Sequence, residues 1–294
     1  RAANIVLKNL VTGEEDILTH FPEPLSITSL RWSRDGQWLI FVSAHDFIHS
    51  RNNERNVFIM RPDGTALRMI TGDYVDPSTV AGPFVTLKGQ VLEAQGTCHV
   101  CAQGTANPVE TDPQGNFELT GVPLEAKWIR AVCSRDGVIY QGDRDLPDLR
   151  LSSQPITLTV EAKGQGWIQA APSPKGDLFV GTFYTWTLRD GNKEYIMHGL
   201  LSDLQGKLLG ELELPPKTNL IGLDWSPVAD EIAGGLTGEK QTWLWRWDDQ
   251  GASQRALLEI ANPQKEILSA MNPVWSPDGR WFAFGLRHWD WWEG

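Results

Sequence analysis

Trp32-Ser33-Arg34-Asp35-Gly36 is followed at once by Gln37-Trp38-Leu39-Ile40-Phe41-Val42, a tight polar turn opening onto an apolar run. The same grammar returns at Pro172-Ser173-Pro174-Lys175-Gly176, Trp225-Ser226-Pro227-Val228-Ala229 and Trp275-Ser276-Pro277-Asp278-Gly279. Proline sets φ at the first corner of such a turn, and Asp-Gly supplies its polar, φ-permissive second half. The runs that follow, such as Trp281-Phe282-Ala283-Phe284, have the composition of strands buried between layers. Ser173 to Ser226 and Ser226 to Ser276 are nearly equal intervals. A repeat of roughly 40–50 residues built from short strands is the mark of β-propeller blades. The interval from Ser33 to Ser173 is too long by nearly a domain.

Blade one continues through Asn56–Met60, the turn Pro62-Asp63-Gly64-Thr65 and the stretch Leu67–Thr71. Taken together, these motifs resemble the blade repeats of TolB-type propellers, also called PD40 or WD40-like repeats. The match weakens at Ser173, where Pro172 replaces the tryptophan. The excess between the first two serines has another grammar. Val85–Leu92 with Gly89-Gln90-Val91 leads to Thr97–Ala102, then Thr111-Asp112-Pro113-Gln114-Gly115-Asn116-Phe117 and Gly121-Val122-Pro123. Strands are predicted again at Trp128–Cys133 and Ile156–Val160. This pattern resembles the carboxypeptidase regulatory-like fold, a small transthyretin-like β-sandwich.

The predicted fold is therefore all-β: a β-propeller of four blade equivalents interrupted by a small β-sandwich. Its parts are 1–81 (propeller), 82–163 (sandwich) and 164–294 (propeller). An insertion of roughly 80 residues can hold a core of its own and costs little where loop ends lie close. The termini read as half blades. Asn4–Leu10 with Glu15–Thr19 lacks a beginning, and Met271–Trp275 with Trp281–Leu286 lacks an end. Two arrangements fit. Either the end strands pair into one mixed blade and close a four-blade ring, or the chain is an arc of a larger ring, as the TolB resemblance implies. The chain opens on Arg1 rather than methionine, which points to processing or to a longer parent.

Composition narrows the partners. A formal net charge of −11 argues against a nucleic-acid footprint. No apolar run approaches the roughly 18–20 residues of a membrane helix. No nucleophile elbow, zinc-helix motif or phosphate loop occurs, so no enzyme activity, metal or cofactor is expected. His45 and His49 flank Asp46 on a loop after the second strand of blade one; a solvated loop accounts for them better than acid–base or metal chemistry. Cys98-His99-Val100-Cys101 has metal or redox spacing, but lacks a second ligand pair and a helix. On a strand its two cysteines face opposite sides. Cys98 then shares a face with Val100 and Ala102, and Cys133 with Ile129 and Ala131, so those two meet in the sandwich core as thiols or as a disulfide.

Fourteen tryptophans remain. Trp32, Trp225 and Trp275 hold the repeat position and should pack between blades. Trp243, Trp245 and Trp247 alternate along one strand face, as a core stripe or as a platform for a partner. Trp289, Trp291 and Trp292 form a terminal run that calls for a blade or a partner to cover it. These six are the candidate partner-binding residues. The expected function is a non-catalytic binding or scaffold protein of the bacterial envelope or secreted space, holding a protein or glycan partner on its propeller faces. The alternative implied by the resemblance is the substrate-gating propeller of a prolyl-oligopeptidase-like peptidase.

Overall fold

The computed structural model describes residues 4–21, 26–51, 54–94, 96–136, 138–151, 154–215, 218–236, 241–248, 251–259 and 268–288. Among these the fold is all-β, with two 3₁₀ turns at Phe47–His49 and Pro77–Thr79. A short hairpin, β1 (Val6–Lys8) and β2 (Glu15–Ile17), precedes the first blade. That blade is the antiparallel sheet β3 (Ile27–Trp32), β4 (Leu39–Ser43), β5 (Asn56–Met60) and β6 (Arg68–Met69), in that spatial order.

Every residue of β4 and β5 is buried, which explains their unbroken apolar runs. Alternate side chains serve two cores. Leu39, Phe41, Phe58 and Met60 pack with Ile5 and Phe21, which flank the β1–β2 hairpin. Ile40, Val42, Val57 and Ile59 pack with Trp167, Ala170 and Phe179 of the next blade. A middle strand covered on both faces is what blade-on-blade stacking requires.

Seven strands follow: β7 (Phe84–Leu92), β8 (Cys98–Ala102), β9 (Val109–Glu110), β10 (Asn116–Pro123), β11 (Trp128–Arg135), β12 (Val138–Asp145) and β13 (Ile156–Thr159). One sheet has the order β10-β7-β13, and the other includes β9-β8-β11-β12. They enclose a core drawn wholly from Leu87 to Val160. Cys98, Val100 and Ala102 face it from β8, and Ile129, Ala131 and Cys133 from β11, as side-chain alternation predicts. Cys98 and Cys133 sit opposite in register and form a disulfide.

The second blade comprises β14 (Glu161–Pro172), β15 (Leu178–Arg189), β16 (Asn192–Asp203) and β17 (Leu208–Leu212). Its first three strands each span 12 residues, about twice the usual length. The surplus of β14 reaches β12, pairing Glu161 with Gln141 and Ala162 with Tyr140. One sheet thus runs β17-β16-β15-β14-β12-β11-β8-β9 through blade and insertion. Blade three is β18 (Leu220–Trp225), β19 (Glu231–Leu236), β20 (Gln241–Asp248) and β21 (Gly251–Glu259). The pair β22 (Leu268–Trp275) and β23 (Phe282–His288) packs on β18 and β19.

The outward faces of the insertion grip the end of blade one remote from Ser33. Arg130, fully buried, donates from Nη2 to Ile48 O at 2.8 Å and from Nη1 to Ser50 O. Gln103 Nε2 donates to Asp73 O at 2.9 Å, and beside the insertion Gln165 Nε2 of β14 donates to Arg51 O at 2.7 Å. Cys101, on the face away from the disulfide, is equally buried and donates to Ile48 O at 2.8 Å. Burial pushes its thiol pKa up, which keeps it a donor.

Ring closure by the termini is corrected here. Among the described residues β1 pairs with β2 alone and β23 with β22 alone. The strands at the N-terminal end are three residues long, and the flanking Ile5 and Phe21 are already satisfied by blade one. The blades therefore follow one another in series, each stacked on the next.

Candidate functional site

The Ser33, Ser173 and Ser276 turns are held by one repeated hydrogen-bond scheme. Ser33 N donates to Trp38 O at 2.8 Å and Gly36 N returns to Ser33 O at 3.0 Å. Ser33 Oγ accepts from Trp38 N at 2.9 Å and donates to Asp35 Oδ1 at 2.6 Å. Ser276 repeats this with Trp281 N at 3.0 Å and Asp278 Oδ1 at 2.6 Å. Ser173 does so with Leu178 N at 3.2 Å, but its carboxylate partner is Asp177 at 2.8 Å, two places further on. Serine recurs because one hydroxyl can accept and donate at once. The Ser33 and Ser276 hydroxyls hold the Asp35 and Asp278 carboxyls below their usual pKa range.

The four turns come from different blades yet meet at one end of the stack. There they line a cleft of about 230 Å³, with Arg31, Trp32 and Arg34 from the first turn region, Ser173 from the second, Asp224 and Trp225 from the third, and Trp275 from the fourth. Arg34 Nη1 donates to Pro227 O, joining the first turn directly to the third. Asp224 Oδ2 accepts from Trp275 N at 2.9 Å. Burial raises the Asp224 pKa despite that bond and the nearby Arg31. The indole N–H of Trp225 is buried and has no acceptor among the described residues. The rim thus carries two guanidiniums.

The repeat-position tryptophans do not behave alike. Trp225 is buried in the core between blades two and three, whereas Trp32 is 49% exposed on the cleft rim. The expectation that Trp32 packs between blades is therefore corrected: the first turn stands at the lip, where its indole meets solvent. Trp243 and Trp245 share a face and belong to the core of blades two and three, Trp245 completely buried with Nε1 bonded to Glu213 O at 3.1 Å. Trp245 has no free face to offer a partner. The side chain of Trp247 and all of Trp289, Trp291 and Trp292 lie outside the described residues.

His45 is half-buried, packed 4.2 Å from the Phe21 ring. His49 pairs through Nδ1 with Asp46. Among the described residues no group of three or more His, Cys, Asp or Glu side chains is placed to hold a metal. No described helix is long and apolar enough to cross a membrane. Sequence reasoning found the turns but not Arg31, Trp32 and Arg34 as their shared rim. The signal was present in the stretch quoted first, where two arginines flank a tryptophan beside a turn.

No protein-family model matches the chain, and no curated protein does. Among solved structures it is similar to a chain of the mitotic checkpoint complex, at 14% identity and a TM-score of 0.27, over 97% of this chain and 84% of that one. A prolyl endopeptidase is similar at 12% identity and a TM-score of 0.22, over 97% and 55%. The β-propeller domain of Myceliophteria thermophila Cps50 (Swd1) is similar at 15% identity and a TM-score of 0.18, over 78% and 85%.

Proposed function

We propose that this chain is a non-catalytic binding module, TolB-like in its blades and carboxypeptidase regulatory-like in its 82–163 insertion, which holds a protein partner on the Ser-turn face. The observation that carries this reading is the meeting of four turns from successive blades in one cleft rimmed by Arg31 and Arg34. An acceptor-rich loop of a partner suits it: two guanidiniums bind carboxylates or carbonyls, and the Trp32 ring supplies contact area of the kind enriched at interfaces. The carboxylates nearby have structural duties, Asp35 and Asp278 within their turns and Asp224 on the Trp275 backbone. The Cys98–Cys133 disulfide supports an oxidising location, periplasmic or extracellular.

The same cleft suits a second reading, a propeller whose mouth admits substrate to a hydrolase outside these residues. A photo-crosslinking side chain at position 32, with a control at exposed Leu208 on the outer strand β17, separates the two. A binding module yields a discrete protein adduct at 32, absent at 208 and abolished by Arg31→Glu with Arg34→Glu. Equal labelling at both positions refutes a partner on this face. Peptide hydrolysis that vanishes on substituting a residue of this chain refutes the non-catalytic reading.

A further inference from the structure

A second cleft lies at the opposite end of the blades, where Glu54 and Arg55 of blade one meet the surplus length of β14–β16. Its position follows from close backbone contact. Arg55 bridges Gly166 in parallel, and Trp167 N donates to Arg55 O at 3.1 Å. A Cβ at Gly166 would come within 2.7 Å of Arg55 N, so this approach requires glycine. From the other side, Tyr184 lies opposite Met197 and Trp186 opposite Tyr195 across β15 and β16, putting all four on one face. The cleft is open and has a volume of about 320 Å³, lined by Glu54, Arg55, Ile168, Tyr184, Tyr195 and Met197. That is near the lower end of the roughly 300–1,000 Å³ typical of small-ligand sites.

Its carboxylate and phenol are fixed before any ligand arrives. Glu54 Oε1 accepts from Trp186 Nε1 at 2.9 Å, and Oε2 accepts from the Tyr184 hydroxyl. Trp186 is held in turn by the Lys193 ammonium, 4.0 Å above its ring. Burial and Glu54 raise the Tyr184 pKa, so the phenol stays a donor. Each Glu54 oxygen retains acceptor capacity beyond the bond it already accepts. The Arg55 guanidinium makes no hydrogen bond or ion pair among the described residues, leaving its donor fork available. Beside this pair, Tyr195 is 46% exposed.

The chemistry selects a ligand class. Glu54 and Arg55 cancel in charge, so a ligand of a single sign gains no net Coulombic attraction there. What remains is an acceptor array and a donor array side by side, next to an aromatic face. A neutral pyranose complements this set: vicinal hydroxyls donate to Glu54 and accept from Arg55, while the ring's C–H face rests on Tyr195, whose π face carries negative potential. We propose that this cleft binds one neutral hexose unit of a glycan. The Ser-turn cleft lies at the other end of the blades, so this site stands or fails independently of the partner proposed there.

The test is isothermal titration of the intact chain against neutral oligomers of β-1,4-glucan, β-1,3-glucan, β-1,4-mannan, β-1,4-galactan and chitin, with oligogalacturonate and oligolysine as charged probes. At least one neutral oligomer is expected to bind saturably, with a Kd below about 10 mM. Tyr195→Ala and Arg55→Ala should each weaken it by about tenfold or more. Ile196→Ala, on the opposite face of the same strand, and Arg31→Glu with Arg34→Glu should leave it unchanged, with circular dichroism confirming the fold of every variant. No saturable neutral ligand, tighter binding of either charged probe, or wild-type affinity in Tyr195→Ala overturns the proposal.

Discussion

Replacing Cys98 and Cys133 by alanine tests whether the 84–160 unit depends on its own staple. The disulfide closes a sequence separation of 35 residues. Loop-closure entropy for that length is worth about 3.8 kcal/mol at 25 °C. Both sulfurs lie in the core, completely buried, and the voids they leave add about 1 kcal/mol. At roughly 0.05–0.15 kcal/mol per residue, a unit of about 80 residues holds only about 4–12 kcal/mol. The double variant should therefore bring this unit close to its folding threshold while leaving blade one intact. Hydrogen exchange read by mass spectrometry suits the question, because it reports both regions in one sample. Amides of β8, β10 and β11 should lose protection, and those of β4 and β5 should keep theirs. A thiol titration of denatured wild-type protein should find the Cys101 thiol alone. Unchanged protection in the double variant, or three titratable thiols in the wild type, refutes the reasoning.

Ser33→Ala removes the acceptor of Trp38 N and the donor to Asp35 from a buried turn; a loss of about 1–3 kcal/mol is expected, and an unchanged urea midpoint would count against the shared scheme. The depressed carboxyls Asp35, Asp63, Asp112 and Asp278 contribute stability that is complete above the unfolded value near 3.9 and lost as pH falls through their lower folded values. Asp224, raised by burial, acts oppositely, contributing stability lost as pH rises through its folded value. Urea midpoints between pH 7 and pH 2 should therefore fall mainly below about pH 4, and a flat profile there contradicts the assignment. Deleting 82–163 with a flexible bridge should leave a soluble all-β remainder, because Thr71 and Gly166 both return to Asn56 and Arg55; an unfolded, aggregating product by circular dichroism would refute an insertion.

The repeat and the strands it announces were legible because each is local. Asn56–Met60 is β5 residue for residue, and the meeting of Cys98 with Cys133 followed from alternation on two strands. What escaped was set by distance. Nothing in Glu54 or Arg55 points to Tyr184, Trp186 and Tyr195 until blade one is stacked on blade two. β12 was missed because Val138–Asp145 ends in Gln-Gly-Asp-Arg-Asp, a polar run that reads as loop. Its pairing with both β11 and β14 overrides that composition. The end strands failed for a related reason: strand character says which residues pair, and says nothing of whether the nearest partner lies across a ring or beside the same hairpin.

The sheet shared by β12 and β14 makes the insertion a mount rather than a pendant. Two residue pairs join it to blade two, and Arg130 and Gln103 brace it against the loops of blade one. A hinge needs one line of attachment. Here two lines diverge, so a pull on the insertion loads both blades together instead of swinging it aside. Anchored by that unit to any surface, the protein would stand with the Arg31–Arg34 rim pointing away from its support.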